Sequence, residues 1–252
     1  MTAKQPRMGG RAARHALRSA PIPPDERPVQ PGQSGGRFQP LSQSDVDRVH
    51  HAALDALETI GLANALPSQV ELFTQAGCSM SEDGRLKFPR ALVEDTVASA
   101  ARTIVLHGQE ERYDLDLSGE RVYFGTAGAA VHVVDIEKRA YRDSTISDLY
   151  DAARLVDRME HIHFFQRSMV PRDLEDPREM DFNTCYASVH GTTKHVGTSF
   201  VLPEHADESI DMLELIAGGE KLWRERPFVS CSCCFVVPPM RFAEDACRVL
   251  ET

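Results

Sequence analysis

Four short apolar runs, centred near Val122, Ile162, His195 and Val229, recur at intervals of 33 to 40 residues, with a helix-forming stretch in each interval. No other feature constrains the fold as strongly. Consecutive parallel strands need a crossover connection long enough for a helix, whereas a tight hairpin joins only antiparallel strands. Units of this kind build either half of a barrel or a small doubly wound sheet. No Gly-rich phosphate loop follows the first run, which removes the usual mark of a doubly wound nucleotide binder. Polar residues stand where the runs end: Thr126, Arg167, Thr198 with Ser199, and Ser230 with Ser232. In barrels, that end of the strands carries the active site. The expected class is α/β, a TIM (β/α)8-type barrel present as its N-terminal half, about four βα units.

The helices between the runs have local signals. Thr145 and Asp148 have capping-box spacing ahead of Leu149, Ala152, Ala153, Val156 and Met159, which share one helical face. Further helices are expected over about 178–190 and 203–217, the second stopped by Gly218-Gly219, with a last amphipathic run from 240 to the end. Upstream, Ser42 and Asp45 repeat the capping-box spacing before Val46, Val49, Ala53, Leu57 and Ile60. Helices over 68–76 and 89–101 and short strands at 103–107, 121–126 and 131–135 complete the pattern. Three regions result: a disordered basic, Pro-rich arm at 1–40, a helical layer with short strands at 41–120, and the barrel half at 121–252.

Composition narrows the function classes. The formal net charge of -10 argues against nucleic acid, whose phosphates demand a basic face. No apolar run approaches the roughly 20 residues that span a bilayer, and the basic Met1–Arg7 start has no apolar segment behind it. The six cysteines do not have the spacing of a disulfide framework, so a reduced, cytoplasmic setting is expected. Cys231 and Cys234 have C-x2-C spacing but no second pair nearby. Core filling is therefore expected of Cys231, Cys233 and Cys234, and no metal site. His161 and His163 flank Ile162 and are expected to be ordinary core or surface groups.

Four segments together resemble the trimethylamine methyltransferase family, including its glycine-betaine-type members. They are Tyr123-Phe124-Gly125-Thr126-Ala127-Gly128-Ala129-Ala130, the helix Asp148–Asp157, Gly191-Thr192-Thr193-Lys194-His195-Val196-Gly197-Thr198-Ser199, and Val229-Ser230-Cys231-Ser232-Cys233-Cys234. The resemblance runs from Phe38 to Thr252. It implies a TIM barrel whose complete form is roughly twice this length. It also implies transfer of a methyl group from trimethylamine or a betaine-type quaternary amine to the Co(I) corrinoid of a cognate partner protein. No corrinoid is then bound by this chain itself, and a half-barrel alone is expected to be inactive.

Displacement of a neutral amine by Co(I) needs no general base. The protein must hold a cation, orient one methyl group and admit the corrin face. Aromatic faces and a carboxylate suit such a cation, which brings in Phe124, Tyr186 and Asp135. Arg167 suits the carboxylate of a betaine. With Thr126, Thr198, Ser199 and Ser230 at the strand ends, these make the substrate-binding set, and no catalytic residue is assigned. Lys194 and His195 lie at the start of their strand, where stability residues are expected. Two alternatives stay open. A TIM-barrel lyase would need Lys194 for a Schiff base. An inactive fragment or partner-binding remnant would expose a strand edge and apolar surface, favouring homo-oligomers.

Overall fold

The computed structural model describes residues 33–36 and 38–252. The expected irregular arm at 1–40 lies outside the described residues apart from 33–36 and 38–40. Within it, β1 (Gln33–Ser34) pairs antiparallel with residues 121–122.

The N-terminal layer follows from local rules. Helix α1 (Gln43–Thr59) starts at the expected capping box, with Asp45 N–H donating to Ser42 Oγ and Ser42 N–H to the Asp45 carboxylate. After β2 (Leu62–Ala63), helix α2 (Pro67–Gln75) opens with proline in its first turn. Strands β3 (Ser79–Met80) and β4 (Arg85–Lys87) precede helix α3 (Arg90–Ser99). Then come β5 (Val105–Leu106), a 3-10 turn at Glu111–Tyr113, β6 (Leu115–Asp116) and β7 (Arg121–Val122). The run at 131–135 is one arm of a hairpin, β8 (His132–Asp135) with β9 (Ala140–Asp143).

The alternating half begins at helix α4 (Ile146–Asp157), whose cap is the second expected capping box. Arg142 clamps the capping Asp148 carboxylate with two bonds of 2.6 Å and, with the Thr145 contacts, holds it well below the usual carboxylate range. Strand β10 (Phe164–Gln166), helix α5 (Pro177–Gly191), strand β11 (His195–Thr198), helices α6 (Pro203–Ala217) and α7 (Glu220–Glu225), and strand β12 (Val229–Cys231) follow. The three strands form a parallel sheet in the order β10-β11-β12, with registers Phe164↔His195 and Val196↔Val229. A fourth run joins the far side of β10 through one parallel bridge, Gly125↔Phe164. One core lies between sheet and helices: Leu149, Ala153 and Val156 of α4, Cys185 and Val189 of α5, Leu213 of α6, Phe165 and Val196 of the strands, and Phe228. Burying each large aliphatic chain here contributes about 1.5–3 kcal/mol.

Several expectations need correction. The strand expected over 121–126 is divided, its first two residues pairing with β1 and Gly125 bridging to β10. Helix α7 follows Gly218-Gly219 directly; at six residues it is too short to show a helical period. The run from 240 splits into β14 (Arg241–Phe242), paired with β13 (Val236–Val237), and helix α8 (Glu244–Glu251). β14 pairs with β2, and Phe242 and Cys247 complete a second core with Leu62, Leu66, Cys78 and Leu86. The expected division at 120/121 is therefore crossed, because the C-terminal segment returns to cover the N-terminal layer.

Candidate functional site

Strand parity decides which side chains meet. In β11, Val196 and Thr198 face the helical core, and His195 and Gly197 face the opposite side. Gly197 is in register with Gln166 and Ser230, and a Cβ on Gly197 would run into the Gln166 carboxamide. A glycine is required there for the Gln166 carboxamide to lie over β11. Gly125 has the same relation to the Phe164 ring.

On this face a hydrogen-bonded chain fixes Ser230. His195 is buried, and its Nδ1 lies 2.8 Å from the His107 carbonyl oxygen. A carbonyl only accepts, so Nδ1 carries the proton and Nε2 accepts from the Ser230 hydroxyl at 3.0 Å. Burial pushes the His195 pKa down, which keeps the ring neutral and in this tautomer. Ser230 has spent its proton and retains lone pairs to offer a ligand.

Just past β10, Arg167 N–H donates to the Gly197 carbonyl at 2.9 Å. Its guanidinium donates to Ser199 Oγ at 2.8 Å. Among the described residues no carboxylate pairs with Arg167, so a cation with unused donors stands at the C-terminal end of the sheet. Behind it, Asp181 of α5 and His205 of α6 form a buried pair at 2.8 Å, and Asp181 also accepts the Val201 N–H at 2.7 Å. That pair holds the loop that follows β11.

The structure brings Arg167, Ser199 and Ser230 to one sheet end. Thr126 joins them at the neighbouring run, but its hydroxyl is engaged with the Gln166 backbone, donating at 2.6 Å and accepting at 2.9 Å. Phe124 is half exposed beside His163, its N–H bonded to His163 Nδ1 at 2.9 Å. Thr198 is not on this face: it is fully buried on the helical side, its hydroxyl without a hydrogen-bond partner. Asp135 sits at the β8–β9 turn, where it accepts the Lys138 N–H at 2.9 Å. Tyr186 lies on the outer surface of α5, its ring stacked on His190 at 5.4 Å. The core filling expected of Cys231, Cys233 and Cys234 is not found. Cys78, Cys185 and Cys247 are buried, whereas Cys231 and Cys234 are exposed and Cys233 is half-buried.

Lys194 has a different role. Its ammonium donates to the carbonyls of Val156, Met159 and Ile162 at 2.7, 2.6 and 2.6 Å, closing the C-terminal end of α4. No amine is free there for a Schiff base. A cavity of about 530 Å³ is also at this lower end, lined by Lys194, Asp157, Arg158, Arg112, Tyr113 and His163 among others. Among the described residues, no group of three or more His, Cys, Asp or Glu could hold a metal, and no helix is long and apolar enough to cross a membrane.

The family model described as trimethylamine methyltransferase matches residues 7–252. The chain belongs to this family. A similar family member, a trimethylamine methyltransferase of Desulfitobacterium hafniense, is 29% identical over 211 residues, covering 83% of this chain and 42% of the relative. A trimethylamine methyltransferase of Methanosarcina mazei is 25% identical over 222 residues, 86% of this chain and 45% of its own. A glycine betaine methyltransferase of Desulfitobacterium hafniense is 23% identical over 214 residues, with coverages of 84% and 44%. The chain spans under half the length of these curated relatives.

Reading the sequence of this methyltransferase-family chain missed Gln166, His195 as the partner of Ser230, and the Asp181–His205 pair. One signal was present. Asp181, Thr184, Cys185 and Ser188 are all buried and have i, i+3, i+4, i+7 spacing, a helix stripe that packs through small and polar groups rather than large apolar ones.

Proposed function

We propose that this chain is the substrate-holding part of a corrinoid-dependent methyltransferase, taking a methyl group from a methylated amine. The parallel run from Gly125 through β12 is, in this reading, the N-terminal half of a (β/α)8 barrel with its site at the C-terminal strand ends. A corrinoid on a separate protein supplies the Co(I) nucleophile when that protein docks. The residues of this chain hold and orient the ammonium.

The observation that carries the reading is Arg167, a guanidinium without a carboxylate partner among the described residues, at the strand ends and already oriented by Ser199. It favours a betaine over trimethylamine, because only a betaine brings a carboxylate for the fork. The Ser230 lone pairs suit the polarised C–H groups of an N-methyl ammonium through weak contacts. No proton has to move in the displacement, and His195 has both ring nitrogens engaged, which fits a chemistry without a general base. The lyase alternative loses its Schiff-base candidate, since Lys194 is held by three carbonyls. Six free thiols fit a reduced cytoplasm.

A second reading, an inactive partner-binding piece, is favoured by β12 being the outer strand of its sheet and by the exposure of Val122 and Phe124. One experiment separates the two. The chain is mixed with the C-terminal half of the Desulfitobacterium hafniense trimethylamine methyltransferase, a Co(I) corrinoid protein and either glycine betaine or trimethylamine, and Co(I) absorbance is followed. The expected result is consumption of Co(I) with glycine betaine in the complemented mixture only, with KM raised roughly tenfold to a hundredfold by Arg167→Ala. No consumption with any methylated amine would leave the binding reading. Consumption with trimethylamine that is indifferent to Arg167 would reject the betaine assignment.

A further inference from the structure

The cysteines of the β12 end are at the rim, not in the core, and two of them face each other. Cys231 is the last residue of β12, in register with Thr198. Residues two apart in an extended segment point the same way, and Cys231 Sγ and Cys233 Sγ are 3.6 Å apart. The backbone between them is anchored by the Ser232 N–H, which donates to the Thr198 carbonyl at 2.8 Å. All six cysteines are free thiols. Among the described residues no third ligand joins this pair to make a metal site.

We propose that Cys231 and Cys233 are a dithiol modification site, closed to an intramolecular disulfide by a low-molecular-weight disulfide of the oxidised-glutathione class. The Cys233 thiolate attacks one sulfur of the small disulfide; its S–S bond breaks, and the departing thiolate takes up the proton that Cys233 lost. The Cys231 thiolate then attacks Cys233 Sγ in the mixed disulfide and expels the second small thiol. Two protein thiols are oxidised, one small disulfide is reduced to two thiols, and no other co-reactant is needed. Although Cys231 is exposed at the rim, partial desolvation of its sulfur and the neighbouring Cys233 push its thiol up, so closure accelerates as pH rises. A disulfide bond of about 2.05 Å requires the two sulfurs to approach by roughly 1.5 Å. Cys231 is in register with Thr198, so the bridge would stand on the helical side of the sheet end, behind the face that carries Ser230. The inference does not depend on the methyl-transfer reading.

The test is incubation of the chain with oxidised glutathione, alkylation of remaining thiols with N-ethylmaleimide, digestion and mass spectrometry. The expected product is a peptide carrying Cys231 and Cys233 that has lost both thiols without gaining glutathione. It forms faster at higher pH and reverts with dithiothreitol. It should persist in Cys234→Ser and fall at least tenfold in Cys233→Ser, the two variants being matched in size and location. A bridged peptide that survives in Cys233→Ser, through Cys234, would overturn the assignment. So would a wild-type chain that accumulates only mixed glutathione adducts.

Discussion

At the lower end of the parallel sheet, where β11 begins, the Lys194 ammonium meets three backbone carbonyls. At the upper end, just past β10, the Arg167 guanidinium meets only Ser199 among the described residues. Asp157 repeats the lower pattern, accepting from the Thr193 N–H and from the Thr192 and Thr193 hydroxyls. Ser230 repeats the upper one, with its proton given to His195 and its lone pairs unspent. Buried polar groups that are fully paired stabilise a fold; polar groups with unused capacity are available to a ligand. The difference teaches that cavity size is a poor guide here. A cavity of about 530 Å³ lies at the lower end, beside the committed Lys194 and Asp157 groups.

The comparison can be broken by substitution, beginning with the largest expected effect. Lys194→Met removes the donor of three carbonyls and should cost about 3 kcal/mol, read as a lower urea midpoint. A change within about 0.5 kcal/mol, the range of an ordinary surface substitution, would show that the lower end is not structural.

Asp157→Asn should cost about 1–2 kcal/mol and alter the pH dependence of stability. Burial raises the Asp157 pKa, but the Thr193 N–H and the two hydroxyls outweigh it and hold the carboxyl below its usual value near 3.8. Its contribution is therefore present above about pH 4 and lost as pH falls through the folded-state value. Urea melts across that window should show the wild type losing more stability than the asparagine variant; parallel curves would contradict this. At the upper end, Arg167→Ala should leave the urea midpoint within about 0.5 kcal/mol. A loss matching that of Lys194→Met would erase the contrast.

How much was legible in the sequence depended on the range of the interaction. Ser42 with Asp45 and Thr145 with Asp148 act across three residues, and both capping boxes form as the spacing foretold. The spacing of the strand runs led to a parallel sheet because any crossover helix requires it. The return of β14 to β2 was invisible, since it rests on a short pairing between distant segments. Thr198 was placed at the correct strand end but on the wrong face. A parallel strand is buried on both sides, so its sequence carries no alternation to tell them apart. Asp135 and Tyr186 were chosen for chemical type alone; the first belongs to a local turn and the second to an outer helix surface. Arg167 and Ser230 were legible as polar residues ending apolar runs, whereas the spent proton of Ser230 needed the distant His195.

The most direct measurement is a nuclear magnetic resonance titration of the ¹⁵N-labelled chain with glycine betaine, observing backbone amides and arginine side-chain resonances. The account predicts shifts at Arg167, Ser199 and Ser230, with Lys194, Asp157 and Arg158 unmoved. Shifts concentrated around Arg112, Arg158 and Lys194 would place binding in the lower cavity and contradict it.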